Sequence, residues 1–444
     1  MKKHLILALL VGATLPAAAF DPLQVYNVQP PKGCVDKDVT HAELALDDLI
    51  QIGVCTNPAL SAQYMGVKAS ESQLGSSRSE YLPSIVLTGK ANIAGERTEH
   101  HDYTQSEPYS GSAQASWLLF DFGGRGARID TMQSYLEAAN FRYNAALQEL
   151  VLSIQTAYLN LLAAKESLIS AKASLETYKQ SYNEAQKRYK LGMVSLSDNL
   201  QAKTRYEQAL LTVVQAENSV EQFSGALAVL LNLAPNTPLR LKAPHFGKQH
   251  TQIETDDINE LFAQALQNRP EIHAQQSAER AAKAQLSAAK TGRLPSLSAN
   301  AAVNYNDNWK HSAPYRTDNS AGLTLSWPLF TGFSAGYAVD AASYAYKQEQ
   351  DNTLSLKLQV QNEVWSRYQD YKTAVRSYEI SQTVLDSAEE NERVAFRYYK
   401  VGKADILNLL TAVAQLADAR QNKINAFYNL LVSKANLYRS IGKY

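Results

Sequence analysis

The most constraining feature of this 444-residue sequence is that its landmarks occur twice, in the same order. The first copy contains Asn57-Pro58, Leu82-Pro83-Ser84, Trp117-Leu118-Leu119-Phe120 and Tyr189-Lys190-Leu191-Gly192, and the second contains Arg269-Pro270, Leu294-Pro295-Ser296, Trp327-Pro328-Leu329-Phe330 and Tyr399-Lys400-Val401-Gly402. Pro58 and Pro270 lie 212 residues apart, whereas Gly192 and Gly402 lie 210 apart, so the copies differ by one small insertion or deletion. Such a repeat predicts two halves of one body.

The N-terminus and the overall charge predict an exported protein without a nucleic-acid partner. Residues 1–19 contain a basic start, an apolar run and small residues before Phe20, which are the parts of a secretory signal peptide. Basic and acidic residues both total 43, so no long-range field attracts nucleic acid. After the signal, no apolar run reaches the ~18 residues that a membrane-spanning helix needs. If the chain crosses a bilayer, it must do so as a β-barrel.

The chain has two cysteines, Cys34 and Cys55. In an oxidising compartment, an isolated pair that closes a short loop predicts a disulfide, which would tie the N-terminal tail (residues 20–43) to the first helix. A loop of this size corresponds to about 3 kcal/mol of stabilisation. The alternative, a metal site, lacks two further ligands. We therefore expect a disulfide and no metal.

Each copy contains long helical stretches. Apolar or small residues recur every seven positions from Leu147 to Tyr189, and an interleaved series runs from Leu150 to Ala185. Large residues facing small ones in this way are typical of coiled coils. The predicted organisation is repeat 1 over 44–235 with long helices at 124–190 and 195–233, a linker over 236–255, and repeat 2 over 256–444 with long helices at 336–400 and 405–441. The glycines Gly192 and Gly402 are expected to end the first long helix of each repeat.

Four segments of about ten residues alternate between apolar and polar side chains, as outer-membrane strands do. They span 84–95, 110–119, 296–306 and 319–329, and the segments that join them in pairs are polar. Trp117 and Trp327 fall at strand ends, where an aromatic girdle is expected. Soluble hairpins are the alternative for each strand alone. Four strands cannot close a barrel, whose minimum is about eight, so the pattern predicts that several chains share one.

Taken in order, these motifs resemble the TolC family of outer-membrane exit ducts. The resemblance also covers Asp121-Phe122-Gly123-Gly124-Arg125, Thr331-Gly332-Phe333, and the segments that follow Gly192 and Gly402. It implies an α+β membrane protein with an internal two-fold repeat. In this arrangement a homotrimer shares a 12-stranded transmembrane β-barrel, four strands per chain, that continues into a long periplasmic α-helical coiled-coil barrel.

The resemblance also implies a location and partners. The duct would lie in the outer membrane of a Gram-negative bacterium, in contact with its lipid, with the helices in the periplasm. It would serve type I protein secretion or small-molecule efflux and would open by an iris-like movement of the periplasmic helices. A periplasmic adaptor protein and an inner-membrane transporter would complete the system, and no cofactor is implied. The turns at Leu191, Gly192, Val401 and Gly402 would contact the adaptor.

The family's periplasmic gate commonly has acidic rings, but the corresponding positions here are Asn408 and Thr411. Asp405, one turn earlier, is a candidate for a carboxylate ring and equally for a helix cap. Asp198 is the counterpart of Asn408 in the first copy and is a further tip candidate. In the family, the position of Tyr399 makes a contact that holds the gate closed. Ala404 occupies the place of the expected basic partner.

The sequence leaves two other classes of function to compare with a duct. An enzyme has little support, because His100, His101, His245 and His250 lack partners at ligand spacing. The glycine-rich segment 123–126 lacks the Lys-Ser/Thr of a phosphate-binding loop and predicts a strand-to-helix joint. A periplasmic coiled-coil adaptor or scaffold protein is the stronger rival, because heptads alone would favour it.

Overall fold

A computed structural model describes residues 43–98, 101–242, 253, 257–309 and 315–443. The predicted signal peptide and all of the predicted tail except Glu43 lie outside these residues, as does most of the 236–255 linker. The helices are α1 (Leu46–Thr56), α2 (Pro58–Ser79), α3 (Gly124–Lys190), α4 (Leu196–Leu230), α5 (Ile258–Asn268), α6 (Pro270–Thr291), α7 (Ser334–Lys400) and α8 (Ile406–Ser440). The strands are β1 (Ser84–Ala91), β2 (Ala94–Thr98), β3 (His101–Ser106), β4 (Pro108–Phe120), β5 (Ser296–Asn308) and β6 (Arg316–Ser326).

The helices of the two copies match in length. α1 and α5 have 11 residues each, α2 and α6 have 22, α3 and α7 have 67, and α4 and α8 have 35. Pro58 and Pro270 begin α2 and α6, where a missing backbone N–H leaves no hydrogen bond unmade. Gly192 and Gly402 follow α3 and α7 with φ of 69° and 78°, the left-handed conformation that favours glycine. None of the described helices is long and apolar enough to cross a membrane.

The chain divides into two compact units. The unit that includes Met65–Asn140 and His273–Leu354 contains all six described strands. Its main sheet has the order β1-β4-β5-β6, and every neighbouring pair is antiparallel. The pairing of β4 with β5 joins the first copy to the second, because Ala113 lies opposite Val303 and Ala115 opposite Ala301.

The strand boundaries differ from the prediction in one substantive way. The predicted strand 84–95 ends at Ala91, and the segment expected to be a polar loop contains the β2–β3 hairpin, which forms a separate two-stranded sheet. The hairpin sequence does not alternate between apolar and polar residues, so hydrophobic periodicity does not predict its two strands. The other three strands extend over 108–120, 296–308 and 316–326.

The second unit includes Phe141–Ile272 and Ser355–Tyr444 and contains three large apolar clusters. Heptad residues of α3 are at its centre: Ile154 and Leu161 are fully buried. α1 packs closely on α3, since a Cβ on Gly53 would lie 2.3 Å from the Ile154 side chain. In α7 the counterpart residues Val364 and Tyr371 are buried in a cluster with α5 and α8.

Candidate functional site

One face of the main sheet is apolar and exposed. The register aligns its apolar side chains in continuous rows: Ile85, Leu87, Ala113, Ala115, Trp117, Leu297, Ala299, Ala301, Val303, Ala321, Leu323 and Leu325. Leu87 and Leu323 are 71% and 69% exposed in the single chain. The opposite face consists largely of Ser, Thr, Asn and Gln. An exposed apolar patch of this extent indicates a surface that meets lipid or another protein.

Both edges of this sheet are open. Within the described residues, β1 pairs only with β4 and β6 pairs only with β5. Each edge strand therefore has one side of unpaired backbone N–H and C=O groups, which is a template for pairing with another strand. In a lipid environment, such groups must be hydrogen-bonded. The sheet of one chain is incomplete as a membrane structure.

Aromatic side chains lie at both ends of the apolar face. The predicted Trp117 donates its indole N–H to the Tyr81 carbonyl oxygen at 2.8 Å, and Trp327 directly follows β6. A second group, which was not predicted from the sequence, lies at the other end of the strands and consists of Tyr109, Tyr305, Trp309 and Tyr315 in successive ring contacts. Tyr109 and Trp117 are separated along β4 by about 26 Å at ~3.3 Å per residue. An outer-membrane apolar band is about 25 Å tall.

Arg125 fixes the joint between the sheet and α3. Its buried guanidinium donates to the carbonyl oxygens of Leu118 and Leu119 at 2.5 and 3.1 Å, and it lies 4.4 Å from the Tyr81 ring centroid. Gly123 precedes α3 with a φ of 89°. The glycine-rich segment is thus the strand-to-helix joint that its sequence predicted.

The two turns predicted as the periplasmic tip each begin their return helix with a polar cap. Ser195 accepts a hydrogen bond from the Asp198 N–H at 3.1 Å, and the Asp198 carboxylate accepts one from the Ser195 N–H at 3.2 Å. Asp405 caps α8 by accepting from the Asn408 N–H at 2.8 Å. The structure therefore contains the cap that was one of two alternatives for Asp405, and the carboxylate ring stays a prediction.

A groove of about 870 Å³ runs between α4 and α8 next to these caps. Thr411 and Leu410 line it from α8, and Leu200 lines it from α4. Leu200 and Leu407 are half exposed, although both are large apolar residues. Such side chains at the end of a helical bundle indicate a surface that packs against another chain.

Arg188, a residue in the last turn of α3 that was not predicted as a site residue, connects the two turns. Its buried guanidinium donates to the carbonyl oxygen of Tyr399 and lies 5.0 Å from the Tyr399 ring centroid. A Cβ on Gly402 would lie 3.1 Å from the same guanidinium. Arg188 has no ion pair within the described residues, and its close contacts are the carbonyl at the negative end of α7 and the aromatic ring.

Tyr399 is almost fully buried beneath this arginine. Its hydroxyl has no hydrogen-bond partner in the described part of the chain. Burial raises the pKa of this hydroxyl, although the Arg188 charge opposes the increase. A basic contact to Tyr399 is therefore present, but it comes from α3 and not from position 404. Arg188 and Tyr399 are 211 positions apart in the sequence, so only folding brings them together.

A second charge cluster lies in the same unit, near the C-terminus of α8. Arg269, 5% exposed, contacts Glu271 and Glu363 at 3.2 and 2.5 Å. Arg439 contacts Glu271 at 2.7 Å, Glu149 at 3.2 Å and Glu363 at 3.6 Å. This five-residue network joins α3, α6, α7 and α8. Removing one member would leave the others with uncompensated charge.

The two cysteines and the histidines of the sequence lie only partly within the described residues. Cys55 is disulfide-bonded, whereas Cys34 lies outside the described residues, so the Cys34–Cys55 pairing stays a prediction. In the part of the chain that the structure describes, no group of three or more His, Cys, Asp or Glu side chains can hold a metal ion. His100, His245 and His250 lie outside that part.

Comparison with known proteins gives a consistent set of relatives. The outer membrane efflux protein family matches residues 49–233 and 261–443, one match for each copy. Protein CyaE of Bordetella pertussis is 28% identical over 86% of this chain and 80% of its own length. Outer membrane protein TolC of Vibrio cholerae is 27% identical over 83% of each chain. The toluene efflux pump outer membrane protein TtgC of Pseudomonas putida is 25% identical over 90% of this chain and 83% of its own length.

Solved structures share the fold at lower identity. CusC has a TM-score of 0.78 at 19% identity, and the outer-membrane channel OprN has a TM-score of 0.77 at 20% identity. Both alignments cover 94% of this chain and 98% of the other chain.

Proposed function

Because the chain belongs to the outer membrane efflux protein family, we propose that it is the outer-membrane exit duct of a tripartite export system in a Gram-negative bacterium. The observation that carries this proposal is the main sheet, which has one exposed apolar face and two open edges. A soluble protein would be expected to bury such a face. The duct is a passage and has no catalytic role.

The open edges are satisfied when three chains assemble. β6 of one chain pairs with β1 of the next, and three four-stranded sheets close a 12-stranded barrel whose apolar face meets lipid. The matched lengths of α3 and α7, and of α4 and α8, support a duplicated architecture in which twelve long helices form the periplasmic tunnel. An iris-like movement of these helices opens the tunnel.

The energy for transport comes from partners. A periplasmic adaptor protein contacts the turns at Gly192 and Gly402, and an inner-membrane transporter drives the cargo. The Pseudomonas putida relative is the outer membrane protein of a toluene efflux pump, which supports small-molecule efflux as one function of this chain. In the alternative function, a periplasmic adaptor or scaffold, the apolar face of the sheet would remain exposed to water.

The direct test is electrical. Purified protein added to a planar lipid bilayer is expected to produce discrete conductance steps, and native mass spectrometry in detergent is expected to give three chains per particle. A folded single chain that stays soluble in aqueous buffer and produces no conductance in the bilayer would favour the adaptor function.

Replacing Asp405 by alanine tests its two roles separately. If three Asp405 carboxylates face a narrow opening, their loss is expected to reduce the preference for cations by a few-fold and to weaken block by divalent cations. Loss of the cap alone is expected to cost about 1 kcal/mol and leave selectivity unchanged. Asp405→Asn keeps a capping oxygen and removes the charge, so reversal potentials for this variant separate the roles. Wild-type selectivity in Asp405→Asn would reduce Asp405 to a cap.

Replacing Arg188 by alanine is expected to loosen the connection between the two turns. The change removes a charge-assisted hydrogen bond, whose typical contribution is about 1.5–3 kcal/mol, and exposes the Tyr399 carbonyl. We expect larger or longer-lived open states in single-channel recordings. Arg397→Ala, in the exposed last turn of α7, is the matched control and is expected to behave like the wild type. Equal open probabilities in all three proteins would contradict a role for Arg188 in holding the tip.

A further inference from the structure

The polar face of the main sheet has an unbalanced charge. The four strands contain four charged residues in total: Lys90, Asp307, Arg316 and Asp318. Asp307 lies on the apolar face, where it accepts hydrogen bonds from the hydroxyls of Tyr109 and Tyr305 at 2.5 and 3.1 Å. The other three lie on the polar face. That face therefore has two cations and one anion in each chain.

Only one of the two cations is compensated. The Arg316 side chain donates to the Asp318 carboxylate at 2.8 Å, and the arginine is still 78% exposed. Lys90 is exposed and has no ion-pair partner within the described residues. Each chain thus presents one net positive charge on this face, and its source is Lys90.

The strand register places Lys90 and Arg316 in one row across the sheet. This row lies at the ends of the strands that are farther from the long helices. Lys90 pairs with Ser110, Ser110 with Asn306, and Asn306 with Arg316. Lys90 and Arg316 occupy the two open edge strands, whereas the inner strands β4 and β5 have only uncharged residues on this face. The cations therefore lie beside the edges at which neighbouring chains meet.

Resting on the proposed trimeric duct, we propose that Lys90 and Arg316 form a basic ring on the wall of the barrel lumen, which favours the passage of anionic groups such as carboxylates and phosphates. Polar faces line the lumen of outer-membrane barrels, and three chains contribute six cations and three anions. Rings of charged side chains set the selectivity of pores, and Lys and Arg rings favour anions. This ring lies in the barrel and is separate from the carboxylate candidates at the helical tip.

Reversal potentials across a KCl gradient test the ring. Lys90→Gln is expected to lower the permeability of chloride relative to potassium on the order of two- to tenfold, because each trimer loses three positive charges from this row. Asp318→Asn is expected to change the ratio in the opposite direction, and Lys90→Arg is expected to preserve it. Arg316→Gln, a second neutralising variant, is expected to lower the chloride-to-potassium permeability ratio as Lys90→Gln does. It tests the same ring if Lys90→Gln does not assemble.

The outcomes separate this inference from the function on which it rests. Conductance steps of wild-type selectivity in both neutralising variants and in Asp318→Asn would overturn the ring while leaving the duct intact. A wild-type protein that gives no conductance at all would overturn both. Opposite shifts for Lys90→Gln and Asp318→Asn are the result that supports the ring.

Discussion

Replacing Leu323 by arginine is expected to abolish accumulation of the trimer in the outer membrane. Leu323 lies within the apolar rows of the main sheet, opposite Ala299, and is 69% exposed in one chain. In the proposed barrel it faces lipid, where an arginine costs about 2–4 kcal/mol at the midplane and less toward the interfaces. Each trimer contains three copies, so the total cost reaches roughly 6–12 kcal/mol at the midplane. A cost of this size is comparable to the typical stability of a folded protein, about 5–15 kcal/mol.

The adjacent residue provides the matched control. Thr324 is paired with Ser298 on the polar face of the same strand, so Thr324→Arg directs the same side chain toward the lumen. We expect this variant to assemble, and trimer yield in outer-membrane fractions, read on native gels, compares the two. Equal yields would mean that the apolar face does not meet lipid.

Replacing Arg269 by alanine is expected to destabilise the unit that contains the helical turns by about 3–5 kcal/mol. Arg269 is 5% exposed and contacts two carboxylates, Glu271 and Glu363, which the variant leaves with only Arg439 nearby. Arg280→Ala is the control, because the Arg280–Glu137 pair is largely exposed and is expected to contribute about 0–1 kcal/mol. Thermal unfolding followed by circular dichroism should separate them. Similar midpoints for both variants would contradict the importance of the network.

The same network predicts a loss of stability in acid. Burial by itself would raise the pKa of Glu271, but hydrogen bonds and charges from Arg269 and Arg439 outweigh it and lower this pKa below its usual 4.5. A carboxyl with a lowered pKa in the folded state stabilises the fold above its unfolded pKa, and this contribution is lost as pH falls through the folded value. We expect the wild type to lose stability below about pH 4.5 and Glu271→Gln to lose less of it over that interval.

The sequence alone predicts the long helices well. α3 covers Gly124–Lys190, which is the predicted interval. A sustained heptad pattern without proline favours one continuous helix, and Gly192 ends that helix. The faces of the four main strands also follow from their alternation, since a shift of one residue would turn every apolar side chain to the other face. These features depend on residues that are close together in the chain.

Other features depend on distant residues and could not be predicted. The Arg188–Tyr399 contact joins two helix ends that are 211 positions apart, whereas the family resemblance points to position 404, which is alanine here. The β2–β3 hairpin has no apolar face to reveal it. The charge network near Arg439 combines residues from four helices, none of which stands out in its own segment.

Cysteine crosslinking between the edge strands tests the central claim, that β6 of one chain pairs with β1 of the next, most directly. Thr88→Cys on β1 is combined in turn with Ser320→Cys, Gly322→Cys and Thr324→Cys on β6, all on the polar face. The control joins Ser112→Cys to Asn304→Cys, which lie opposite each other within one chain and can close without a partner. After mild oxidation in outer membranes, we predict covalent dimers and trimers, and nothing larger, for at least one edge pair. Monomers alone from every edge pair, with the control bond formed, would contradict a barrel shared among chains.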